Sequence, residues 1–480
     1  MADRKFNRRS FLAVGSAAIA ASLLAACGAA APAPTAAPAA GTTPAVASKP
    51  AAGTTPAAGA APKIITPTPE PTPVLAQVEV TAGQTKVDWW TPRGAKTDLD
   101  AFSAVQQKYH ASQDKIRVQA VYVPVTAGTQ MSEKLLTSIA AGTPPDSAEF
   151  DRFVVASWAA KASLEDLSDL AKGKNVSADQ YYPFAWEEAS YKGKLYAMPF
   201  DTDTRGIYIN TDLAKAAGLD ITKPPTKISE LDDWAAKLTK KDGRKFVNWG
   251  YSPAYSQSFH FAVALEFGGV MFDMAKDVCT ANSPAVVEAF TWMKTYADKY
   301  NIEDMEAFQS AFGTNTNDPF LSGQIAMCAN GDWQLASIKR FKPDLNFIVV
   351  PMPGKDGEAP CMAGGWSQVL PKGTKHKAEG FEWISYLAGK EGQTMYGLGT
   401  MSIPTNIEAS KDPGFRADPK HGQFMDFLKI AKNRPAIPAG QVLWNGLGEA
   451  QSQILHAKQT PQEAMDILTK AVNDEEAKYK

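Results

Sequence analysis

Between Gly28 and about Thr72 the chain offers a folding reaction almost nothing to bury. The stretch is Ala, Pro, Thr and Gly, with no aromatic residue and almost no charge. Such a composition cannot offset the conformational entropy lost on folding. The foldable part therefore starts near Glu79 and runs to Lys480, about 400 residues. That exceeds the size at which a single hydrophobic core keeps growing, so two lobes are predicted. Residues 28–78 read as a disordered tether. Frequent proline favours extended chain at about 3 Å per residue, so the tether reaches on the order of 100 Å.

Ahead of the tether, residues 1–27 have the layout of an address. A charged start ends in Asn7-Arg8-Arg9-Ser10-Phe11-Leu12, an apolar run reaches Ala26, and Leu24-Ala25-Ala26-Cys27 closes it. The apolar run is too short for an ordinary membrane span. Together these parts resemble a twin-arginine export signal followed by a lipobox. That resemblance implies lipidation of Cys27 and a folded part held on the extracytoplasmic face of a bacterial membrane. The general secretory route stays open beside the twin-arginine one. Residues 1–27 carry Arg4, Lys5, Arg8 and Arg9 against Asp3, and their removal takes the formal charge from −2 to −5. A mildly acidic chain lacks the electrostatic footprint of nucleic-acid binding. Cys279, Cys328 and Cys361 remain; they allow at most one disulfide, show no CxxC spacing, and read as buried small hydrophobes.

Strand and helix patterns then alternate. Lys86-Val87-Asp88-Trp89-Trp90 reads as a strand, Leu99–Tyr109 as a helix, Ile116–Val123 as a second strand and Met131–Ala141 as a helix stopped by Gly142. A short strand through Phe150-Asp151 follows. This order predicts an α/β fold with a largely parallel sheet, in which ligands sit beyond the carboxyl ends of the strands. Trp90, Arg93, Asp151 and Arg152 fall at such ends.

Further landmarks carry a resemblance. They are Gly142–Asp146, Gly193-Lys194-Leu195-Tyr196-Ala197-Met198-Pro199, Tyr208-Ile209-Asn210 leading to Pro224-Pro225-Thr226, Gly323-Gln324-Ile325-Ala326-Met327, and Gly364-Gly365-Trp366. In this order they resemble the extracellular solute-binding proteins of family 1, the group that includes maltose- and other sugar-binding receptors of bacterial ABC importers. The resemblance implies a two-lobed periplasmic-binding-protein-like fold (type II) with ligand in an interlobe cleft. The first lobe would hold 79–200 and 364–388, the second 204–360 and 390–480. Crossings would lie near Phe200–Asp203, Cys361–Gly364 and Ala388–Gly392. The implied partners are a carbohydrate and the permease subunits of an importer, met by a monomer without cofactor, metal or catalytic residues.

The same resemblance implies site residues. A sugar site needs aromatic platforms for C–H faces and charged hydrogen-bonding groups for hydroxyls. Asp151-Arg152 resembles the acidic-basic pair that meets sugar hydroxyls in the maltose-binding branch. Asp203 stands where that branch has a crossover carboxylate, and Asp201, two residues away, would share its side of a strand. Trp333, after Asn330-Gly331-Asp332, and Trp444 resemble stacking tryptophans. Trp90, Arg93 and Trp366 complete the set. Trp234, Trp292 and Trp383 sit on helical stripes and are assigned to the core. Pro92, and Phe259 where a tyrosine is expected, depart from the maltose-binding pattern.

Other readings stay open on the sequence. The same fold would serve a polyamine with several cleft acids, or a phosphorylated glycerol with paired basic groups. Asp151 and Asp203 could form a glycosidase pair. The five histidines, His110, His260, His376, His421 and His456, show no metal spacing, and no GxSxG elbow or P-loop is present.

Overall fold

The structure is a computed structural model and describes residues 77–124, 131–313 and 317–480. The export signal with Cys27, and the tether up to residue 76, lie outside the described residues. Two residues assigned to the tether are described, and one already joins the fold: the Val78 amide donates to Gln119 Oε1 at 2.9 Å.

Two hydrophobic clusters divide the rest. The first is built on a five-stranded sheet in the order Ile116–Tyr122, Thr85–Thr91, Ser147–Asp151, Trp366–Val369, Ala197–Pro199. Along Thr85–Thr91 burial alternates, so Val87, Trp89 and Thr91 face inward while Trp90 takes the other face. Trp89 packs edge-on against Phe102 and Trp383, and its indole N–H donates to Gln368 at 2.8 Å. The second cluster surrounds an antiparallel sheet with Arg205–Asn210 between Met327–Gly331 and Phe347–Val350. Trp234, Trp292 and Trp383 are all buried, as their helical stripes predict.

Two expectations are corrected. Within the first sheet parallel pairing links the three leading strands, while Trp366–Val369 runs antiparallel to both of its neighbours; the second sheet is antiparallel, and Met362–Ala363 pairs in parallel with Lys432–Asn433. The reason is connectivity, because Trp366–Val369 enters the first sheet from the second lobe and not through a local helix. The last crossing also comes later than Ala388–Gly392. Helix Lys390–Thr400 stays with the first cluster, where Tyr396 stacks on Phe102 at 4.5 Å, and Ile403 is the next core residue of the second cluster. There Ile403–Pro404 pairs with Asp201–Thr202, so the first and third crossings lie side by side.

Candidate functional site

The chain between Phe200 and Arg205 runs against the chain between Met362 and Trp366, and strand alternation decides what their side chains do. Asp201 and Asp203, two residues apart, project to one side. Each accepts a backbone N–H from the other crossing: Asp203 from Gly364 at 2.8 Å and Asp201 from Trp366 at 2.7 Å. Gly365 sits between them at φ +140°, and a Cβ there would lie 2.3 Å from the Asp201 carbonyl oxygen. Only glycine lets the two backbones pass this closely.

Three aromatic–guanidinium groupings surround this crossing. In the first, Arg93 donates to Asp201 at 2.5 Å and to the Tyr396 hydroxyl at 2.6 Å, and lies 5.2 Å from the centre of the Trp366 ring. Its Nε stands 2.7 Å from Glu149, an ion pair without hydrogen-bond alignment. Burial pushes the Glu149 carboxyl up to about 7, although Arg93 and the Thr91 hydroxyl pull it down. In the second, Arg205 pairs with Asp203 and with Gln257, and stands 5.4 Å from the centre of the Trp333 ring. That indole packs so tightly on Gly331 that a Cβ there would lie 2.1 Å from it. In the third, Arg434 forks onto Asp151 and lies 4.6 Å from Phe153 and 5.0 Å from Trp444. Trp444 packs against both clusters, touching Phe153 on one side and Phe259 and His260 on the other. Burial lowers the His260 imidazole to about 3, so it is neutral.

The structure thus brings together Arg93, Asp151, Asp201, Asp203, Trp333, Trp366 and Trp444 around the crossings. Trp366, Trp333 and Trp444 are half-buried, which leaves ring surface for a partner. Trp90 is outside this network; its half-buried ring lies under the ammonium of Lys134. Arg152 also reaches the crossings, from within the protein. It is fully buried, and its three nitrogens donate to Glu188 and to the carbonyls of Asp201 and Gly364. Asp201 is engaged likewise: it is buried, and its two oxygens accept from Arg93 and from Trp366 N–H.

Sequence reasoning missed Arg205, Arg434, Glu149, Glu188 and Asp332. Asp332 is the odd carboxyl of the group. It is 1% exposed and neither oxygen has a hydrogen-bond partner. Burial, with Asp203 adding to it, raises its proton affinity well above the ordinary value. Among the described residues each guanidinium of the site, Arg93, Arg152, Arg205 and Arg434, is paired with a carboxylate. Surface cavities of about 440 and 390 Å³ lie elsewhere, around Lys172, Asn175 and Trp186 and around Lys339, Leu398 and His421, and are lined by none of these site residues.

Residues 104–423 match the family model described as bacterial extracellular solute-binding protein. The maltotriose-binding protein of Pyrococcus abyssi (strain GE5 / Orsay) is 24% identical over 386 residues, covering 78% of this chain and 79% of that protein. The sn-glycerol-3-phosphate-binding periplasmic protein of Escherichia coli (strain K12) is 24% identical over 408 residues, covering 77% and 88%. Among solved structures, CpMnBP1 with mannobiose bound superposes with a TM-score of 0.74 at 27% identity, covering 81% of this chain and all of that one.

Proposed function

The chain belongs to the bacterial extracellular solute-binding proteins, and from that premise we propose that it is a receptor that binds a carbohydrate at the junction of its lobes and hands it to an ABC importer. The observation that carries this reading is the set of half-buried indoles at Trp333, Trp366 and Trp444, each beside a guanidinium already neutralised by a carboxylate. Ring faces suit sugar C–H surfaces, and charge-balanced pairs suit hydroxyls that both donate and accept. The relatives that bind maltotriose and mannobiose support the same chemistry.

Anchoring belongs to this proposal. The lipobox at Cys27 and the long proline-rich tether describe a receptor held on the outer face of the membrane yet free to reach its permease. The twin arginines at Arg8 and Arg9 propose the route. A glycosidase reading finds less support, because Asp151 is bridged by Arg434 and Asp203 by Arg205 and the Gly364 amide. Phosphorylated glycerol has support from the relative that binds it, but a phosphate would have to displace a carboxylate from its guanidinium.

The test is tryptophan fluorescence of the purified full-length chain titrated with mannobiose and maltotriose, followed by chromatography of the sugar. Saturable change with intact sugar is expected. Release of monosaccharide would replace the receptor reading with an enzymatic one.

A further inference from the structure

Arg152 is expected from the sequence to meet a ligand, yet its nitrogens reach the crossings between the lobes. Its Nη1 donates to the carbonyl of Asp201 at 2.5 Å, in the first crossing, and its Nη2 to the carbonyl of Gly364 at 2.8 Å, in the second. Glu188 fixes Nε at 2.5 Å, and the Phe184 ring lies 5.5 Å from the guanidinium carbon. The Thr202 hydroxyl donates to the same Gly364 carbonyl at 3.0 Å. The third crossing is drawn in through the pairing of Ile403–Pro404 with Asp201–Thr202. One planar fork from the first lobe thus grips two crossings directly and reaches the third through strand pairing.

Lobe closure is absorbed by backbone rotation at a few such crossing residues. Crossings that rotate independently permit many interlobe angles. Crossings tied to one rigid guanidinium must turn together. We propose that Arg152 is the positioning residue of the hinge, coupling the three crossings so that the lobes move about a single axis. It acts on cargo through the closure equilibrium and not through contact. The inference rests on the two-lobed receptor reading and is independent of which solute is bound.

The experiment needs no ligand. Spin labels on Lys172→Cys in the first lobe and Lys237→Cys in the second, both exposed, report the interlobe distance in the full chain with Cys27→Ser. The three other cysteines are buried. The expected result is one narrow distance distribution for the labelled parent and a broader, displaced one for Arg152→Lys, which keeps the charge but lacks the rigid planar fork that holds two carbonyls and Glu188 at once. Val286→Ala, a fully buried core substitution outside the crossing segments, lowers stability and should keep the narrow distribution. If Arg152→Lys does not fold, Glu188→Gln, which frees the guanidinium from its anchor, is read in the same way. A folded variant with the parent distribution overturns the proposal. With mannobiose and maltotriose as probes, a shifted closure equilibrium lowers both affinities by the same factor. Loss for one sugar only would make Arg152 a contact residue instead. Should neither sugar bind, the distance measurement still decides.

Discussion

Arg434 sets both outer nitrogens of its guanidinium on the Asp151 carboxylate, at 2.7 and 3.0 Å, and so joins the second lobe's chain to the end of a first-lobe strand. The cation is buried, and the rings of Phe153 and Trp444 lie near it on the two sides of the lobe junction.

Removing the carboxylate charge should therefore be felt as lost stability. Breaking a fully buried pair costs roughly 3–5 kcal/mol. Asp151 keeps contact with solvent, so Asp151→Asn is expected to cost about 2 kcal/mol. Urea unfolding measures it, and an unchanged midpoint would show that Arg434 is satisfied without Asp151.

Glu149 predicts a pH dependence. Its carboxyl is held at about 7 in the fold against an ordinary 4.5. Below 4.5 it is protonated in both folded and unfolded chain, and its contribution is whole. From 4.5 to 7 the unfolded chain ionises first, so stability falls by about 1.4 kcal/mol per pH unit. Above 7 the loss is complete, at about 3 kcal/mol. Glu149→Gln should remove this part of the descent in a series of unfolding curves between pH 4 and 8. Glu188, Asp201 and Asp332 are raised in the same direction and leave a residual slope. A variant curve parallel to the parent's would place the titration elsewhere.

Gly331 predicts an effect on binding through its neighbour. A methyl group there cannot coexist with the Trp333 ring. Gly331→Ala should swing the indole away from Arg205 and mimic Trp333→Ala, with a loss of about 1 kcal/mol of sugar affinity, the scale of an aromatic contact. Calorimetry on both variants checks this. Full affinity in Trp333→Ala would remove that ring from the site.

The cysteines predict indifference to reductant. Cys279, Cys328 and Cys361 are buried free thiols, and burial raises Cys361 to about 11. A melting midpoint that falls on adding dithiothreitol would reveal a disulfide.

Much of this fold is legible because local pattern and burial agree. The alternation of Thr85–Thr91 placed Trp89 in the core, and the helical stripes placed Trp234, Trp292 and Trp383 there too. The two-residue spacing of Asp201 and Asp203 correctly put both on one side. Sequence was silent where charge partners are far apart in the chain. Arg434 lies in Asn433-Arg434-Pro435 with no local signal, and its partner is 283 residues away. The partners of Arg152 were hidden for the same reason: its place at a strand end gives no sign of Glu188, Asp201 and Gly364, which accept from its nitrogens. The late third crossing was hidden because Tyr396 packs on Phe102, a contact that spacing does not reveal.

Calorimetric titration of the chain with mannobiose, maltotriose, sn-glycerol 3-phosphate and spermidine decides whether the protein is a carbohydrate receptor. The expected result is saturable binding of a sugar, no heat from the phosphate or the amine, and weakening in Trp333→Ala. Binding of glycerol phosphate or spermidine with no response to any sugar would contradict it.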